Sequence, residues 1–550
     1  MRRIAIQITI SLLGCSLANP QGRPIDWPSY NGDAQRTGWE KVDTRITRDN
    51  VKDFQLVLKR KLDNGPAGPY SLTPPVVIGL LISYRGFKEL AFIAGSSGSL
   101  WAIDVDMDRI FWQKHFDATS RPKANGVPGP CAGSVAVVPA LIPPINFAVR
   151  PRPVTGGLGP GAVSAPAAGA PVAPGQTPAP PTGRGMMAAS GFGAPRPAFA
   201  VSNDGKLHLM NTSTGEDVAP AMRFLPSGAS ASSLTVIEGT VYTTAVDCRT
   251  GQGGVWALDV GGPGKKASPA ASFALKGGSV SRHGGLAMGT DGTVFVQTGP
   301  GALDPASGKW SNTLLGLTPK NLKLANYFTV PDPGPSPNAA SDLNLTTPVV
   351  FSYKDRELVV SAGADGRLYL LDAKTPGGED HKTPLFQTSP VASAGAGIWG
   401  GLSSWQDTDG TRWILAPVWG PVNPELKVPA NHGAAPNGSI VAFKLADRGG
   451  KPVLAPAWVS RDIHSPEPPV ITSGVVFALS AGDYGSDERP KSSTPAVLYA
   501  LDGATGQEMY STASQVTAPG NLTGVTVVNG RVFFTTTDRT LYGFGIYLER

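Results

Sequence analysis

Five side chains of the 550-residue chain have types that suit ligand binding, although they lie far apart in the sequence. Arg282 and His283 are adjacent, and an arginine guanidinium binds a carboxylate through two parallel hydrogen bonds. Trp399 offers a ring on which a planar group could stack. Asn344 and Glu467 carry the oxygen atoms that a hard cation such as calcium prefers. We therefore predict Arg282, His283 and Trp399 as cofactor-binding residues and Asn344 and Glu467 as calcium ligands, and we predict no particular catalytic residue.

A short pattern that recurs about eight times indicates which elements position these side chains. An apolar residue, an aromatic or apolar residue, a small residue and a second apolar residue are often followed by Asp. Periodic strand motifs of this kind are typical of propeller blades. The copies occupy residues 100–104, 207–211, 255–259, 314–318, 368–372, 440–444, 498–502 and 541–545.

The context of the copies predicts one antiparallel sheet in each repeat. Asp204-Gly205 and Asp365-Gly366 separate strand-like runs, and Asp-Gly is a strong hairpin signal because Gly takes a positive φ at little cost. Sheets that are apolar on both faces bury those faces by stacking around a ring. We therefore predict an all-β fold, an eight-bladed β-propeller with four-stranded antiparallel blades.

The two ends of the chain are predicted to meet in one blade. The last copy of the pattern ends close to Arg550, which leaves almost no chain for an outer strand. The early run 54–59 has the composition of a strand without a partner nearby in the sequence. We expect this N-terminal strand to complete the last blade and to close the ring.

Four of the five candidate residues occupy the same position of the repeat, just before the innermost strand, and Arg282 lies beside it. Because the blades are arranged around an axis, residues at this position should converge where propeller ligands bind. An alternative interpretation stays open, in which these polar side chains only line a water-filled channel and Trp399 only packs between blades. The full set, with two neighbours included, is Tyr70, Cys131, Ser230, His283, Asn344, Trp399, Glu467, Asn521, Arg282 and His464.

The first residues of the chain predict that the protein is exported from the cytoplasm. Two arginines precede an apolar run, 4–13, that is shorter than the roughly 20 residues needed to cross a bilayer, so residues 1–18 are predicted as a signal peptide. A lipobox-like sequence ends at Cys15, which would then carry a lipid, whereas cleavage after Ala18 by ordinary signal peptidase is the alternative. We expect a periplasmic or extracellular protein, anchored to the membrane by lipid if Cys15 is modified.

The remaining chain, residues 19–550, is predicted to form the propeller. Residues 150–197 consist almost wholly of Pro, Gly, Ala and small polar residues, which predicts a disordered insertion within the second blade. Cys131 and Cys248 could pair in an oxidising compartment, and two buried free thiols are the alternative.

Composition and motifs argue against several other functions. The net charge is +6, and Lys59-Arg60-Lys61 is the densest basic patch, so a nucleic-acid footprint is not expected. The six His residues are scattered without metal-ligand spacing, which argues against a zinc site. Neither a phosphate-binding glycine loop nor a nucleophile elbow is present in a suitable context. Contact with a membrane is expected only through the signal or a lipid anchor.

A motif that begins in the seventh copy of the pattern reads Ala500-x-Asp502-x-x-Thr505-Gly506-x-x-x-Tyr510, and Ala102-x-Asp104 with Trp112 fits the same frame. This motif resembles the tryptophan-docking motif of the pyrroloquinoline-quinone (PQQ) repeat β-propellers, with Tyr510 where that family usually has Trp. The run 27–33 is similar to the lead-in of quinoprotein alcohol dehydrogenase-like propellers. The resemblance covers nearly the whole mature chain apart from the insertion.

The resemblance implies an eight-bladed propeller and, for the enzymes of that family, oxidation of alcohols or sugars with PQQ and calcium. This chain departs from those enzymes. Cys131 is followed by Ala132, where several of them have a Cys pair, and there is no Cys-x-x-Cys-His haem motif. The calcium-binding Glu and Asn and the Asp base of that family match no position here.

We therefore favour a ligand- or protein-binding module without an intact quinoprotein catalytic site. A PQQ-dependent dehydrogenase of alcohols or sugars is the alternative, and whether the chain is an enzyme stays open at this point. The expected partner is a cell-envelope protein, a glycan or a small-molecule substrate.

Overall fold

The computed structural model describes residues 24–65, 67–83, 86–117, 123–124, 127–128, 137–141, 197–261, 268–276, 278–330 and 343–546. The predicted signal peptide, Cys15, Cys131 and the insertion up to residue 196 lie outside the described residues. Cys248 is disulfide-bonded, and its pairing with Cys131 stays a prediction.

Eight sheets, mostly four-stranded and antiparallel, form the blades of a propeller, which confirms the predicted fold. Blades 1 to 4 contain the following strands in chain order. Blade 1 consists of Val76–Ser83, Gly86–Ala94, Ser99–Asp104 and Arg109–His115. Blade 2 consists of Val137–Leu141, Pro197–Ser202, Lys206–Asn211 and Met222–Arg223. Blade 3 consists of Ala229–Ala231, Thr235–Ile237, Thr240–Asp247, Gly253–Asp259 and Ala271–Ala274. Blade 4 consists of Leu286–Met288, Val294–Gln297, Thr313–Leu317 and Leu324–Thr329.

Blades 5 to 8 complete the ring, and blades 6 and 7 carry extra strands. Blade 5 consists of Val349–Tyr353, Arg356–Ala362, Leu368–Asp372 and Phe386–Gln387. Blade 6 consists of Gly397–Ile398, Ser403–Gln406, Arg412–Trp419, Ala430–Asn431, Gly438–Arg448 and Lys451–Val459. Blade 7 consists of Val470–Thr472, Val475–Ser480, Val497–Asp502 and Glu508–Ser511, with Trp39–Glu40 added in parallel. Blade 8 consists of Thr526–Val528, Arg531–Thr535, Thr540–Gly545 and Gln55–Lys61.

Few elements lie outside the blades. A short hairpin joins Lys123–Ala124 to Val127–Pro128, and 3-10 turns occupy Val51–Asp53 and Pro305–Ser307. Within the described ranges no helix has the length and apolar character needed to cross a membrane.

The N-terminal strand closes the ring as predicted. Gln55–Lys61 pairs antiparallel with Thr540–Gly545 as the outer strand of blade 8. Leu58 of this strand is 2% exposed and belongs to the core that blade 8 shares with blades 1 and 7. The two ends of the described chain therefore hold one blade together.

The apolar cores lie between neighbouring blades, because each sheet is apolar on both faces. Phe92 of blade 1 packs in one cluster with Ala198 of blade 2. Trp413 of blade 6 shares a cluster with Val476 of blade 7. Burial of these faces supplies the main stabilising free energy, at roughly 25 cal/mol for each Å² of apolar surface removed from water.

Tryptophan docking joins blades at their outer edges. Trp458 of blade 6 donates its indole N–H to the Gly503 carbonyl of blade 7 at 3.1 Å. Its ring lies against Gly506, which has φ +77° and where a Cβ would come within 2.5 Å of the indole. Trp112 of blade 1 makes the equivalent bond to the Thr212 carbonyl of blade 2, at 2.8 Å. The motif recognised in the sequence is thus a receptor for the tryptophan of the preceding blade.

Residues 25–43, here called the axial segment, contact all eight blades. Arg36 donates to Ser233 and Thr235 of blade 3 at 2.9 and 2.6 Å, and Asp43 accepts a bond from the Gly530 amide of blade 8. Backbone bonds to the other six blades join Trp27 to Val77, Pro28 to Leu141, Ala34 to Met288, Gln35 to Val350, Thr37 to Ser404 and Gly38 to Ile471. The chain therefore seals its own axis with a segment that lies before the first blade.

Candidate functional site

A cavity of about 190 Å³ lies beside the axis, between the inner edges of blades 1 to 4 and blade 8. Its wall is mostly apolar but carries several hydroxyl groups, and Arg282 and His283 also line it. The predicted residues Tyr70, Ser230, Arg282 and His283 are therefore brought together, as their shared repeat position implied. The hydroxyl-bearing residues of the wall include Tyr70, Thr73, Ser230, Ser232, Thr244 and Ser281.

The carboxylate of Glu488 lies at the centre of a polar cluster on the axis. Trp399 donates its indole N–H to Glu488 Oε1 at 2.9 Å, and the Tyr70 hydroxyl donates to Oε2. His283 Nε2 lies 3.8 Å from Oε1, which is too long for a hydrogen bond. Three blades thus supply groups that face one buried carboxylate.

The electrostatics of this cluster keep Glu488 ionised. Burial opposes the charge, but His283, the hydroxyl of Tyr70 and the positive charge of Arg282 together hold the pKa of the Glu488 carboxyl well below its usual range. The axis therefore carries one fixed negative charge surrounded by donors.

The Trp399 indole is buried against two other aromatic rings. Trp419 stacks on it at 4.7 Å with an interplanar angle of 14°, and His283 lies 4.2 Å away at 57°. Trp399 is 1% exposed. In this arrangement the ring packs between neighbours and offers no free face to a planar ligand.

Tyr30 of the axial segment fills a seat made of glycines. A Cβ at Gly284 would come within 2.6 Å of the Tyr30 ring, and one at Gly524 within 3.0 Å. The glycines of blades 4 and 8 therefore allow the ring to reach the axis. Burial, with the nearby Glu467, raises the pKa of the Tyr30 hydroxyl, so this group stays neutral.

Glu467 is buried, and neither oxygen of its carboxyl group accepts a hydrogen bond of ordinary length and angle from a described residue. Burial raises its pKa well above the ordinary value, the Gly524 amide offsets only part of this, and the negative charge of Glu488 adds to it. The neutral form is therefore favoured in the folded protein.

The Glu467→Gln variant is expected to gain stability over the wild type as pH rises. Because the folded-state pKa of Glu467 is raised, the wild type incurs no penalty below the unfolded pKa near 4.5, and the penalty grows as pH rises from there toward the folded pKa. Melting temperatures at pH 4.5 and pH 8 measure this difference. The exposed Glu425→Gln serves as control, and a difference independent of pH would contradict the prediction.

The other predicted residues have structural partners away from the cavity. Asn344 Oδ1 accepts a bond from the Ile398 amide at 2.9 Å, and Asn521 donates to the Thr535 hydroxyl at 2.9 Å. His464 lies 3.4 Å from Asp462, with its side chain 37% exposed. Contacts of the described residues do not join Asn344 to Glu467, the two predicted calcium ligands.

A set resembling a charge-relay triad lies where blades 1 and 2 meet. His208 is 3.0 Å from Ser202 Oγ and 3.1 Å from Asp217 Oδ2. However, the Ser202 hydroxyl also donates to Asp204 Oδ1 at 2.5 Å. Thr536 makes the same bond to Asp538 in blade 8, at 2.6 Å. The hydroxyl therefore belongs to a turn that the repeats share, and we assign it no nucleophilic role.

Comparison with known proteins identifies the fold. No protein-family model matches the chain, and no curated protein matches it. A quinohemoprotein alcohol dehydrogenase from Comamonas testosteroni has a similar structure, with a TM-score of 0.52 and 15% identity over 96% of this chain and 81% of that chain. A second such enzyme, from Pseudomonas putida HK5, gives 0.57 and 12% over 95% and 80%. A europium-containing methanol dehydrogenase gives 0.54 and 14% over 95% and 89%.

The chain has the PQQ-type propeller fold. This likeness agrees with the docking motif and with the eight blades. At 12 to 15% identity it concerns the fold and leaves the site to be judged on its own residues.

The axial residues of this PQQ-type propeller do not fit a quinone stacked on Trp399, since that ring is buried against Trp419 and His283. The calcium ligands predicted from the sequence do not fit well either. Glu467 favours its neutral form, and Asn344 Oδ1 already accepts a hydrogen bond. The described residues contain no group of three or more His, Cys, Asp or Glu that could hold a metal ion.

Proposed function

We propose that this PQQ-type propeller is a binding module whose axial cavity takes a small polar ligand, without an intact quinoprotein catalytic site. We propose further that it works outside the cytoplasm, in the periplasm or extracellular space; the signal peptide predicted from the sequence of residues 1–18 supports this. Lipid attachment at Cys15 would place it at the membrane, among cell-envelope proteins and glycans.

The observation that carries the proposal is a set of buried polar atoms around the cavity. Within the described residues, three residues that line the cavity carry a polar atom without a hydrogen-bond partner: Tyr30 OH, Thr523 Oγ1, and His283 Nε2, which faces Glu488 at 3.8 Å. A buried polar group without a partner costs about 1–3 kcal/mol. A ligand that supplies hydrogen bonds to these atoms would recover that free energy.

A PQQ-dependent dehydrogenase of alcohols or sugars is the second candidate. Its support is the fold, which is shared with alcohol and methanol dehydrogenases. Against it stand the burial of Trp399 against Trp419 and His283 and the presence of Glu488 at the axis. This candidate would require both Trp399 and Glu488 to move.

A thermal-shift screen of polyols, small carboxylates and soluble glycans tests the binding proposal. The wild type is expected to be stabilised by a member of one class in a saturable manner. Ala231→Phe, which fills the cavity from its wall, should abolish that shift, whereas Ala434→Phe on an exposed loop should preserve it. A shift that survives Ala231→Phe would place the ligand elsewhere, and no shift with any class would favour a protein partner instead.

A further inference from the structure

We propose that the groups around Glu488 form a recognition site for the carboxylate of a small hydroxy acid, and that Glu488 is a tethered occupant which this ligand displaces. The inference rests on the proposed function, because it assigns a ligand class to the same axial cavity. We call Tyr70, Arg282, His283 and Trp399 the carboxylate cup.

The cup is built from separate blades that converge on one point. Tyr70 precedes blade 1, Arg282 and His283 precede blade 4, and Trp399 belongs to blade 6. The Tyr70 hydroxyl and the Trp399 indole N–H each donate to a different oxygen of the carboxylate. These donors lie in connections beside the inner strands of different blades, and donors aimed at both oxygens make a preorganised site for any carboxylate.

The present occupant comes from a different kind of element. Glu488 lies in the connection 481–496 between two strands of blade 7. Its neighbours Asp487 and Arg489 are exposed, whereas Glu488 itself is 7% exposed. A surface turn thus inserts a single charged side chain into the axis.

The backbone of this turn is under strain. Glu488 has φ +60°, a left-handed conformation that residues other than Gly rarely adopt. Bonds within the turn join the Gly485 amide to the Arg489 carbonyl and the Glu488 amide to the Gly485 carbonyl. Tyr484 at the base of the turn stays bonded to Ser465 and to the Gly520 carbonyl. The tip 485–489 is closed by its own bonds, so it can withdraw from the axis without breaking a strand pair of any blade.

The cup and the cavity share residues, which defines the ligand. Tyr70 and His283 lie against Glu488 and also line the cavity. The exposed Arg282 lines the cavity as well, and its charge acts on Glu488. A ligand carboxylate in the cup would therefore place the rest of the molecule in the cavity, next to Thr523 and the hydroxyls of blade 3. Hydroxyl groups on the ligand can both donate to and accept from such a wall.

The ligand must contain more than a carboxylate, because Glu488 is attached to the chain and competes for the carboxylate cup. A tethered carboxylate competes at a high effective concentration, so a bare carboxylate in solution displaces it poorly. Contacts between the rest of the ligand and the cavity must supply the additional binding free energy. A cavity of about 190 Å³ limits this part of the ligand to a small one. A short hydroxy acid meets both conditions.

Removing the tethered carboxylate tests the proposal. Acetate is expected to raise the melting temperature of Glu488→Ala in a saturable manner, at a concentration at least tenfold lower than any effect on the wild type. Glu488→Gln is the matched control, because its side chain still fills the cup and should block acetate. Sodium chloride at equal ionic strength should not reproduce the shift, and adding Tyr70→Phe to Glu488→Ala should weaken it.

A second variant covers the case in which Glu488→Ala does not fold. Glu488→Asp keeps a carboxylate that is one methylene shorter, so it should bind lactate at least tenfold more tightly than the wild type in calorimetric titration. Equal responses of both variants and the wild type to acetate and lactate would overturn the proposal. If acetate stabilises Glu488→Ala but the screen finds no cavity ligand, the carboxylate cup stands and the proposed function fails. If the screen finds a cavity ligand but acetate does not stabilise Glu488→Ala, the proposed function stands and the carboxylate cup fails.

Discussion

Replacing Leu58 with aspartate is expected to destabilise the protein by about 4 kcal/mol, because the substitution places an unpaired charge in the core between blades. Leu58 is 2% exposed in the strand that completes blade 8. The free energy of unfolding from urea denaturation measures the effect. Loss of this strand would leave the ring open, so a broader transition is expected as well.

Leu56 of the same strand provides the matched control. It is 38% exposed, so Leu56→Asp should change the free energy of unfolding by about 0.5 kcal/mol or less. Similar effects at the two positions would contradict closure of the ring by this strand in the register observed.

Replacing Arg36 with methionine is expected to cost about 3 kcal/mol of stability, because several buried acceptors lose their donor at once. The guanidinium is fully buried and donates to the Tyr30 and Leu286 carbonyls at 2.6 and 2.8 Å, and to the hydroxyls of Ser233 and Thr235. Burial lowers the pKa of Arg36 to about 10, with Asp33 opposing part of the shift, so it remains charged at neutral pH.

The exposed Arg489→Met variant controls for the loss of one positive charge. The Arg489 side chain is 83% exposed and pairs only at the surface, with Asp487 at 2.9 Å, so a change of about 0.5 kcal/mol or less is expected. Equal midpoints of urea unfolding for Arg36→Met and the wild type would show that the axial segment does not depend on the hydrogen bonds of Arg36.

The sequence allowed the fold to be predicted because the information for it is repeated. Each copy of the strand pattern, with its turn, predicts the same local structure. The run 54–59 has no partner nearby in the sequence, and the last blade was the one that still lacked an outer strand. Equivalence between repeats also brought Tyr70, Ser230, Arg282 and His283 to one cavity.

The two side chains that most affect the axis could not be found in that way, because neither belongs to a repeat. Glu488 lies in a connection between strands, and its burial depends on a turn conformation that composition does not reveal. Tyr30 precedes the first blade, and its seat is made by glycines of distant blades. The run 27–33 showed a family resemblance in this segment, but gave no sign that the segment fills the axis.

Trp399 shows the limit of judging a residue by type alone. A tryptophan at the axis suits stacking on a planar ligand, yet its neighbours decide whether a face is free. Here Trp419 stacks on the ring, His283 lies against it, and Trp399 is buried. Fold likeness to alcohol dehydrogenases therefore does not carry the site with it.

Calorimetric titration of the mature protein with PQQ in calcium buffer, with Trp399→Ala titrated alongside, shows whether the axis binds a quinone. We expect no saturable binding to the wild type, because Trp399 is buried against Trp419 and His283 and the Glu488 carboxylate occupies the axis. Saturable one-to-one binding that Trp399→Ala weakens would contradict this expectation and would establish the protein as a quinoprotein.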